Sequence, residues 1–306
     1  MVRAMTLRRL AARHAVILPF AALLYAPSPG WATPLLRTAG DFAVLAGSAV
    51  TNIGSTTITG SGNVGVTPGT SITPGVPGFT FGTGTTHSDD GVAQQARTDA
   101  FTGVAPISAF SFLGGLLTFT DLTGHDLGTS GTLPISTLGP GIYHFDTTAQ
   151  LNGALTLNDG GVNNAVFVFL IGSSLTTASG SSVSLIGAGT GEGVFWQVHD
   201  SATLGTTTAF TGNILAGTAI TLNEGATILC GSALARDAAV SMNTNTIGVG
   251  CGGGYQSVGD TFELIGPGDG NGDDGGVPVP EPSSFLLLLT TGLIGVAARM
   301  RRARRR

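Results

Sequence analysis

The sequence predicts an all-β solenoid, and the first evidence is a repeat in the C-terminal half of the chain. Residues 214–216 (Ile-Leu-Ala) align with residues 233–235 (Ala-Leu-Ala) at an offset of 19, and residues 219–223 align with residues 239–243 at an offset of 20. The repeated unit is a short apolar strand, a corner of Gly, Thr, Ser or Asn, and another short strand. This period suits one solenoid coil with three short strands and three corners.

The second observation is that short β-branched runs and glycine corners alternate through most of the chain. They fill residues 36–69 and return between residues 141 and 180. Phe195, which lies 20 residues before Leu215, extends the repeat by one coil. Such a solenoid presents flat, rigid faces, which suit the recognition of a repetitive partner.

One helix interrupts this pattern at about residues 88–105. Ser88 is a good N-cap, Asp89 and Asp90 complement the helix dipole, and Pro106 ends the run. The apolar stripe that indicates the helix consists of Val92, Ala93, Ala96, Ala100, Phe101 and Val104. The small alanines predict a helix that lies close against the flank of the solenoid.

The charge distribution separates the body of the chain from its two ends. The 306 residues include no lysine, and only Arg37, Arg97 and Arg236 lie between the basic ends. All 18 acidic residues fall between Asp41 and Glu281, so three arginines oppose them and the body carries a net charge of −15. Nucleic-acid binding is disfavoured, because it depends on basic side chains that neutralise phosphates.

The N-terminus reads as a secretory signal peptide over residues 1–32. A basic segment precedes the apolar run AVILPFAALLYA, and Gly30-Trp31-Ala32 places small residues where a peptidase would cut after Ala32. A membrane anchor is the weaker interpretation, because the apolar run is too short to span a bilayer.

The C-terminus, residues 278–306, has three parts in a fixed order: Pro-Glu-Pro within residues 278–283, an apolar span at 285–298, and an arginine cluster at 299–306. It resembles the PEP-CTERM sorting signal of Gram-negative bacteria. The resemblance implies transient anchoring in the inner membrane, cleavage near Pro280, Glu281 and Pro282 by an exosortase-type transpeptidase, and transfer to the cell surface or the extracellular exopolysaccharide. The alternative is a plain C-terminal anchor.

Residues 263–277 form the predicted linker between the body and this signal. Asp269, Asn271 and Asp273 match the first half of a calcium loop, but Asp274 replaces its invariant glycine and Pro280 its bidentate glutamate. A flexible acidic linker is therefore favoured, and no metal or cofactor is expected.

The two cysteines, Cys230 and Cys251, are 21 residues apart, close to one coil. Stacked positions on neighbouring coils are about 4.8 Å apart, which is within disulfide reach. A disulfide is plausible in an exported protein, and two free thiols remain the alternative. Two cysteines without further ligands do not suffice for a zinc site.

Several sequence blocks carry a second resemblance, among them TNIGSTTITGSGNVGVTPG, LGPGIYHFDTTAQLNGALTLN, VFWQVHDSATLGTTTAFTGNILA and GSALARDAAVSMNTNTI. They resemble the microbial ice-binding (antifreeze) family, in order, from about Leu36 to Ile247. The resemblance implies that residues 33–262 fold as an irregular, discontinuous β-helix of triangular section with one long α-helix alongside. It also implies that the N-terminal strand segment is folded into the stack. The body is expected to be monomeric.

Ice and its ordered water are the partner that this resemblance implies. Outward threonines offer a methyl group and a hydroxyl on a stiff rotamer, at a rung spacing of about 4.8 Å that is comparable to repeats in the ice lattice. The family's ice-binding face often carries Thr-Ala/Gly-x-Thr/Asn steps, which this chain matches only in part. The predicted ice-binding residues are Thr177, Ser179, Thr206, Thr208, Thr227, Thr244 and Thr246. Glu224 stands where a threonine would be expected.

Two other classes of function are compatible with a β-helix. Polysaccharide lyases and glycosidases also use β-helices, but Glu192, Asp200, Glu224 and Asp237 are more simply corner or surface charges. His199 beside Asp200 is interpreted as a surface substitution, and Phe195 and Trp196 as core residues. We therefore expect no enzyme. The rival is a structural or adhesive matrix protein that binds exopolysaccharide without strong ice activity.

Overall fold

The computed structural model describes residues 35–103, 119–253, 255–258 and 261–264. The chain divides into two compact units, Met1–Ala32 and Thr33–Arg306, and all described residues belong to the second. The expected segments 1–32, 33–262, 263–277 and 278–306 remain predictions, and the two sorting signals lie outside the described residues.

Parallel strands stack into three faces, which the chain visits in turn within each coil. Face I is a nine-stranded sheet. In spatial order its strands are β6 (Thr86–Ser88), β3 (Asn63–Val66), β1 (Phe42–Ala46), β23 (Ala233–Ala235), β20 (Asn213–Ala216), β17 (Gly193–Val198), β14 (Val166–Ile171), β11 (Gly141–Phe145) and β7 (Phe119–Asp121).

Faces II and III belong to one sixteen-stranded sheet, because the long strand β2 (Ala49–Thr59) runs through both. Face II also contains β4 (Ser71–Thr73), β8 (Asp126–Leu127), β9 (Pro134–Ile135), β12 (Ala149–Leu151), β15 (Leu175–Thr177), β18 (Ala202–Leu204), β21 (Ile220–Leu222) and β24 (Val240–Asn243). Face III also contains β5 (Pro77–Phe81), β10 (Thr137–Leu138), β13 (Ala154–Asn158), β16 (Ser182–Ile186), β19 (Ala209–Thr211), β22 (Thr227–Cys230) and β25 (Thr246–Gly248). An antiparallel hairpin, β26 (Tyr255–Val258) and β27 (Thr261–Leu264), follows.

The order of coils in space differs from their order in sequence. Strand β1 pairs with β23, with Val44 opposite Ala233, and β2 pairs with both β24 and β25. The N-terminal segment therefore stacks on the last coil of the C-terminal half. This confirms the insertion that the family resemblance implied.

The strand register agrees with two of the three alignments that the sequence repeat gave. Ile214 lies opposite Ala233 and Ile220 opposite Val240, at the predicted offsets. The third alignment is wrong, since Leu215 lies opposite Gln197 and Phe195 opposite Asn213. Gln197 and Leu215 are 18 residues apart, one fewer than the next coil, which gains a residue at the register irregularity where Thr211 lies opposite Cys230.

An aromatic stack runs through the core along face I. Tyr143, Phe169 and Trp196 occupy paired positions on β11, β14 and β17 and point inward. The ring centroids of Phe169 and Trp196 are 3.7 Å apart and nearly parallel, and Tyr143 stacks at 5.3 Å from Phe169. The Trp196 indole N–H donates to the Thr211 carbonyl at 3.1 Å. Trp196 and Phe195 are fully buried, as predicted.

The helix α1 (Gly91–Thr98) is shorter than predicted and begins later. Asp90 is the N-cap, because its carboxylate accepts hydrogen bonds from the backbone N–H groups of Val92 and Ala93. The hydrogen bond from the Ala93 N–H contributes most to holding the pKa of Asp90 below its ordinary value. Ser88 belongs to β6, so its prediction as N-cap is wrong.

A π-helical turn (Asp99–Gly103) follows α1, and the predicted helix end near residue 105 lies outside the described residues. The alanines of the predicted stripe, Ala93, Ala96 and Ala100, are buried in a second apolar cluster that contains Leu45 and Leu234 of face I. Small side chains at these positions let the helix backbone approach the outward side of that sheet.

Cys230 and Cys251 form a disulfide with their Cα atoms 5.4 Å apart. The buried Asn213 side chain donates to the carbonyls of Cys251 at 2.8 Å, and of Gly250 and Val194 at 3.2 Å each. The segment that leaves the last coil is thus fixed at the corner between faces III and I.

Candidate functional site

Face III presents a continuous row of small side chains to the solvent. Alternation along each strand turns residues such as Phe210, Ile228 and Ile247 into the core and their neighbours outward. In register across six strands, the outward row is Ser182, Ala209, Thr227, Thr246, Thr57 and Thr80. The row therefore carries five hydroxyl side chains, all of them partly or fully exposed.

A second outward row runs along the same face, two residues further along each strand. In this row Thr137 pairs with Thr156, and Thr156 pairs with Ser184 on the next strand. Thr211 and Thr59 lie on later strands of the stack. The exposed Leu229, at a register irregularity between β19 and β22, interrupts this row. No described strand of face III contains a charged residue. The face is therefore a neutral surface of mixed hydroxyl and methyl groups.

Two of the predicted ice-binding residues lie within the first row. Thr227 and Thr246 are directly paired, and Thr57 continues the row beyond Thr246. Thr57 and Thr80 were missed by the sequence reasoning, because only the stacking of the N-terminal segment on β25 brings them to this face. The alternating Thr-Ile-Thr of residues 57–59 is a weak local signal for such a strand.

Two other predicted residues, Thr177 and Thr208, are excluded from the surface. Their exposed fractions are 3% and 0%, and their hydroxyls hydrogen-bond to each other at 2.8 Å. Thr177 also accepts a hydrogen bond from the Gly205 backbone N–H at 2.8 Å. These two threonines satisfy buried polar groups inside the corner, and their prediction as ice-contacting residues is wrong.

The remaining three, Ser179, Thr206 and Thr244, are exposed on the turns between faces II and III. Backbone hydrogen bonds stack these turns, since Gly180 N–H donates to the Thr206 carbonyl and Thr207 N–H to the Glu224 carbonyl. We call the row of Ser179, Thr206, Glu224 and Thr244 the II–III edge. Glu224 therefore lies on this edge, and the flat rows of face III lie beside it.

Two of the candidate acidic residues, Asp200 and Asp237, have local polar partners in the structure. Asp237 binds Arg236 at 2.8 Å and lies 3.5 Å from Arg97, and the hydrogen bond from Arg236 holds the pKa of Asp237 below its ordinary value. Asp200 accepts a hydrogen bond from Ser173 at 2.9 Å, and the exposed His199 lies 4.0 Å from it. Asp200 and Asp237 therefore take part in hydrogen bonds or ion pairs at the corner between faces I and II.

Metal-ligating residues are also dispersed in the described part of the chain. Within it, no group of three or more His, Cys, Asp or Glu side chains could hold a metal ion. The expected linker, residues 263–277, falls almost wholly outside the described ranges.

Comparison with known proteins gives two family matches. A family described as Ice-binding-like matches residues 44–248, and the PEP-CTERM protein-sorting motif matches residues 278–302. The first match covers most of the solenoid, and the second covers the tail.

Individual proteins similar to this chain agree with the first match. An ice-binding protein of Nostoc sp. (strain HG1) is 43% identical over 262 residues, covering 86% of this chain and 84% of the relative. A solved ice binding protein from an Antarctic biological consortium is 38% identical with a TM-score of 0.60, over 71% of this chain and 91% of that one. Another, from the Antarctic ascomycete Antarctomyces psychrotrophicus, is 35% identical with a TM-score of 0.56, over 71% and 98%.

Proposed function

The chain belongs to the ice-binding family, and from that premise we propose that it adsorbs to ice through face III and inhibits ice growth or recrystallisation. The observation that carries the proposal is the register of Ser182, Ala209, Thr227, Thr246 and Thr57 on a face whose described strands contain no charged residue. We take the coil to be triangular in section, with the helix alongside face I. Face III is then a side that the helix leaves uncovered. The body acts as a monomer, without a cofactor.

The physical argument begins with spacing. Adjacent strands of a sheet are about 4.8 Å apart, so the hydroxyls of one row repeat at that interval along the solenoid. Each threonine holds its methyl group and hydroxyl in a restricted rotamer, which keeps both in a fixed array. Water ordered by this array can join the ice front. The adsorbed protein then pins the growing surface, which must advance between bound molecules.

Support for export comes from the sorting motif matched at residues 278–302. We propose that residues 1–32 are removed as a signal peptide and that residues 285–298 anchor the chain transiently in the inner membrane. An exosortase-type transpeptidase then cuts near Pro280, Glu281 and Pro282 and releases the protein to the cell surface or matrix. Within the described ranges no helix has the length and apolarity needed to cross a membrane, and the proposed span lies outside them.

The sorting motif also favours a second candidate function, that of an adhesive matrix protein bound to exopolysaccharide. The two functions are separated by assaying purified residues 33–265. Faceted ice crystals and thermal hysteresis at micromolar protein concentration are the expected result. Round, unfaceted crystals together with retention of the protein on polysaccharide from the host would contradict ice binding and support the matrix function.

Replacing Glu224 with threonine is expected to raise thermal hysteresis at equal protein concentration. The exposed carboxylate on the II–III edge holds its own hydration water, which would have to be displaced or rearranged on contact with ice. Threonine at this position extends the hydroxyl row between Thr206 and Thr244. The measurement is the freezing-point depression of the two proteins over a series of concentrations.

The matched control is Glu192→Thr, which removes the same charge at the corner between faces III and I. This control should leave hysteresis unchanged. An equal increase in both variants would assign the effect to net charge, and no increase in Glu224→Thr would exclude the edge from the ice contact.

A further inference from the structure

Face II carries its own row of polar side chains, which the proposed function does not use. In the three-residue strands β12, β15, β18 and β21 the central residue points outward and its two neighbours point into the core, as Ile220 and Leu222 do on either side of Thr221. In register across seven strands this row is Gln150, Thr176, Thr203, Thr221, Ser241, Thr51 and Thr73. Six consecutive members carry a hydroxyl, with no interruption.

The surroundings of this row are flat and almost free of charge. The residues two positions earlier on successive coils are Ser174, Ser201, Ala219, Ala239, Ala49 and Ser71, all of them small. Asp126, on the short strand β8 at one end of the face, is the single charged residue in the described strands of face II. The charges of Asp200, Arg236 and Asp237 lie at the corner that joins face I to face II. The row itself is therefore a smooth, neutral array.

The hydroxyl array of face II continues into that of face III. Residues 223–226 form the turn between Thr221 and Thr227, and Gly225 makes this turn tight with φ of +71°. The II–III edge places Thr206 and Thr244, both exposed, on the line where the two faces meet. The coils of Ser179 and Thr244 thus present hydroxyls on face II, on the edge and on face III, while Ala209 and Glu224 interrupt the series in the two coils between them.

We propose that face II is a second ice-binding surface, so that one molecule binds two differently oriented ice planes that meet at the II–III edge. This inference rests on the proposed function of face III. Face II repeats at the same strand spacing of about 4.8 Å and offers the same combination of methyl and hydroxyl groups. Its inclination to face III, set by the turn, directs it to a different plane of the crystal.

The composition of face II favours ice over a polysaccharide as the occupant. Its described strands contain no aromatic side chain, and its outward residues form a flat row. Binding sites for organic molecules are mostly concave and lined by apolar or aromatic groups, with a few convergent polar groups. A flat lattice of small hydroxyl side chains instead matches an extended, ordered layer of water.

The experiment is ice-plane affinity labelling with the fluorescently labelled full chain on a single-crystal ice hemisphere. The unmodified protein is expected to label two sets of planes. Thr221→Tyr should lose one set, Thr227→Tyr should lose the other, and the double variant should label neither. Thr190→Tyr, on the exposed loop that joins face III to face I and outside both hydroxyl rows, is the matched control and should label both sets.

Thr51→Tyr provides a second variant in the face II row, at an exposed position on another strand, and should lose the same set as Thr221→Tyr. Circular dichroism confirms that each variant is folded.

If both face II variants label the same planes as the unmodified protein while Thr227→Tyr loses its planes, face II is not an ice-binding surface and face III remains one. Unchanged labelling by Thr227→Tyr contradicts the proposed function itself. If the face II variants keep the ice labelling of the unmodified protein but are no longer retained on polysaccharide, face II binds the glycan. That result also overturns the inference.

Discussion

Tyrosine at both Thr227 and Thr246 is expected to remove most of the thermal hysteresis at micromolar protein concentration. The two residues are directly paired in the middle of the first row of face III. A phenol ring projects beyond the threonine side chains on either side and holds the face away from the ice. Dispersion contacts lose about a quarter to a half of their strength over a gap of 0.5–1 Å, and ordered water between the two surfaces is displaced as well.

The measurement is freezing-point hysteresis together with crystal shape, and the single variants should show intermediate losses. Thr190→Tyr makes the same change in volume and polarity on the loop between β16 and β17, and should retain full hysteresis. Equal losses in the control and the paired variant would indicate a general effect on folding or solubility. Full activity in the paired variant would remove face III from the ice contact.

Local sequence signals predicted the coil but not the arrangement of coils. The apolar residues of β20 and β23 pair at the predicted offset, because each coil in this region closes within nearly the same number of residues. The position of β1 beside β23 has no local signal, since the pairing joins segments far apart in the chain. It was expected only from the resemblance to a family.

The candidate site shows the same division. The sequence predicted threonines on and near the II–III edge, but it did not resolve which side of the chain each one faces. Thr177 follows the exposed Thr176 on one strand, so a shift of one residue decides between the core and the solvent. Thr208 is turned inward by the corner that precedes β19 and hydrogen-bonds to Thr177. Thr57 and Thr80 depended on long-range stacking and could not be predicted from local pattern.

Replacing Trp196 with alanine is expected to reduce the free energy of unfolding by about 3–5 kcal/mol, the range for truncating a large, fully buried aromatic residue. The indole stacks on Phe169 at 3.7 Å and contacts Phe210 at 5.0 Å, so its removal leaves a cavity between two faces of the coil. Urea unfolding followed by circular dichroism measures the change. This probe does not depend on the tryptophan that is removed.

Trp196→Phe is the matched control, because it preserves an aromatic ring against Phe169 and removes the indole N–H that binds the Thr211 carbonyl. It should cost less than the alanine variant. Leaving the Thr211 carbonyl without a hydrogen-bond donor lowers the free energy of unfolding by about 1–3 kcal/mol if no water replaces the indole. A loss below about 1 kcal/mol for Trp196→Ala would show that the stack does not support the solenoid, contrary to the burial-based range.

The alanine variant should also lose ice activity at temperatures where it is still folded. Phe210 lies on the core side of β19, next to Ala209 of the first row, and Trp196 supports its ring from within the coil. When that support is removed, Phe210 can move inward and the strand between Ser182 and Thr227 leaves the plane of the row. In a solenoid each coil contacts only its neighbours, so the distortion is expected at these rungs first. Hysteresis measured near 0 °C on the folded fraction should therefore fall in Trp196→Ala and be largely retained in Trp196→Phe.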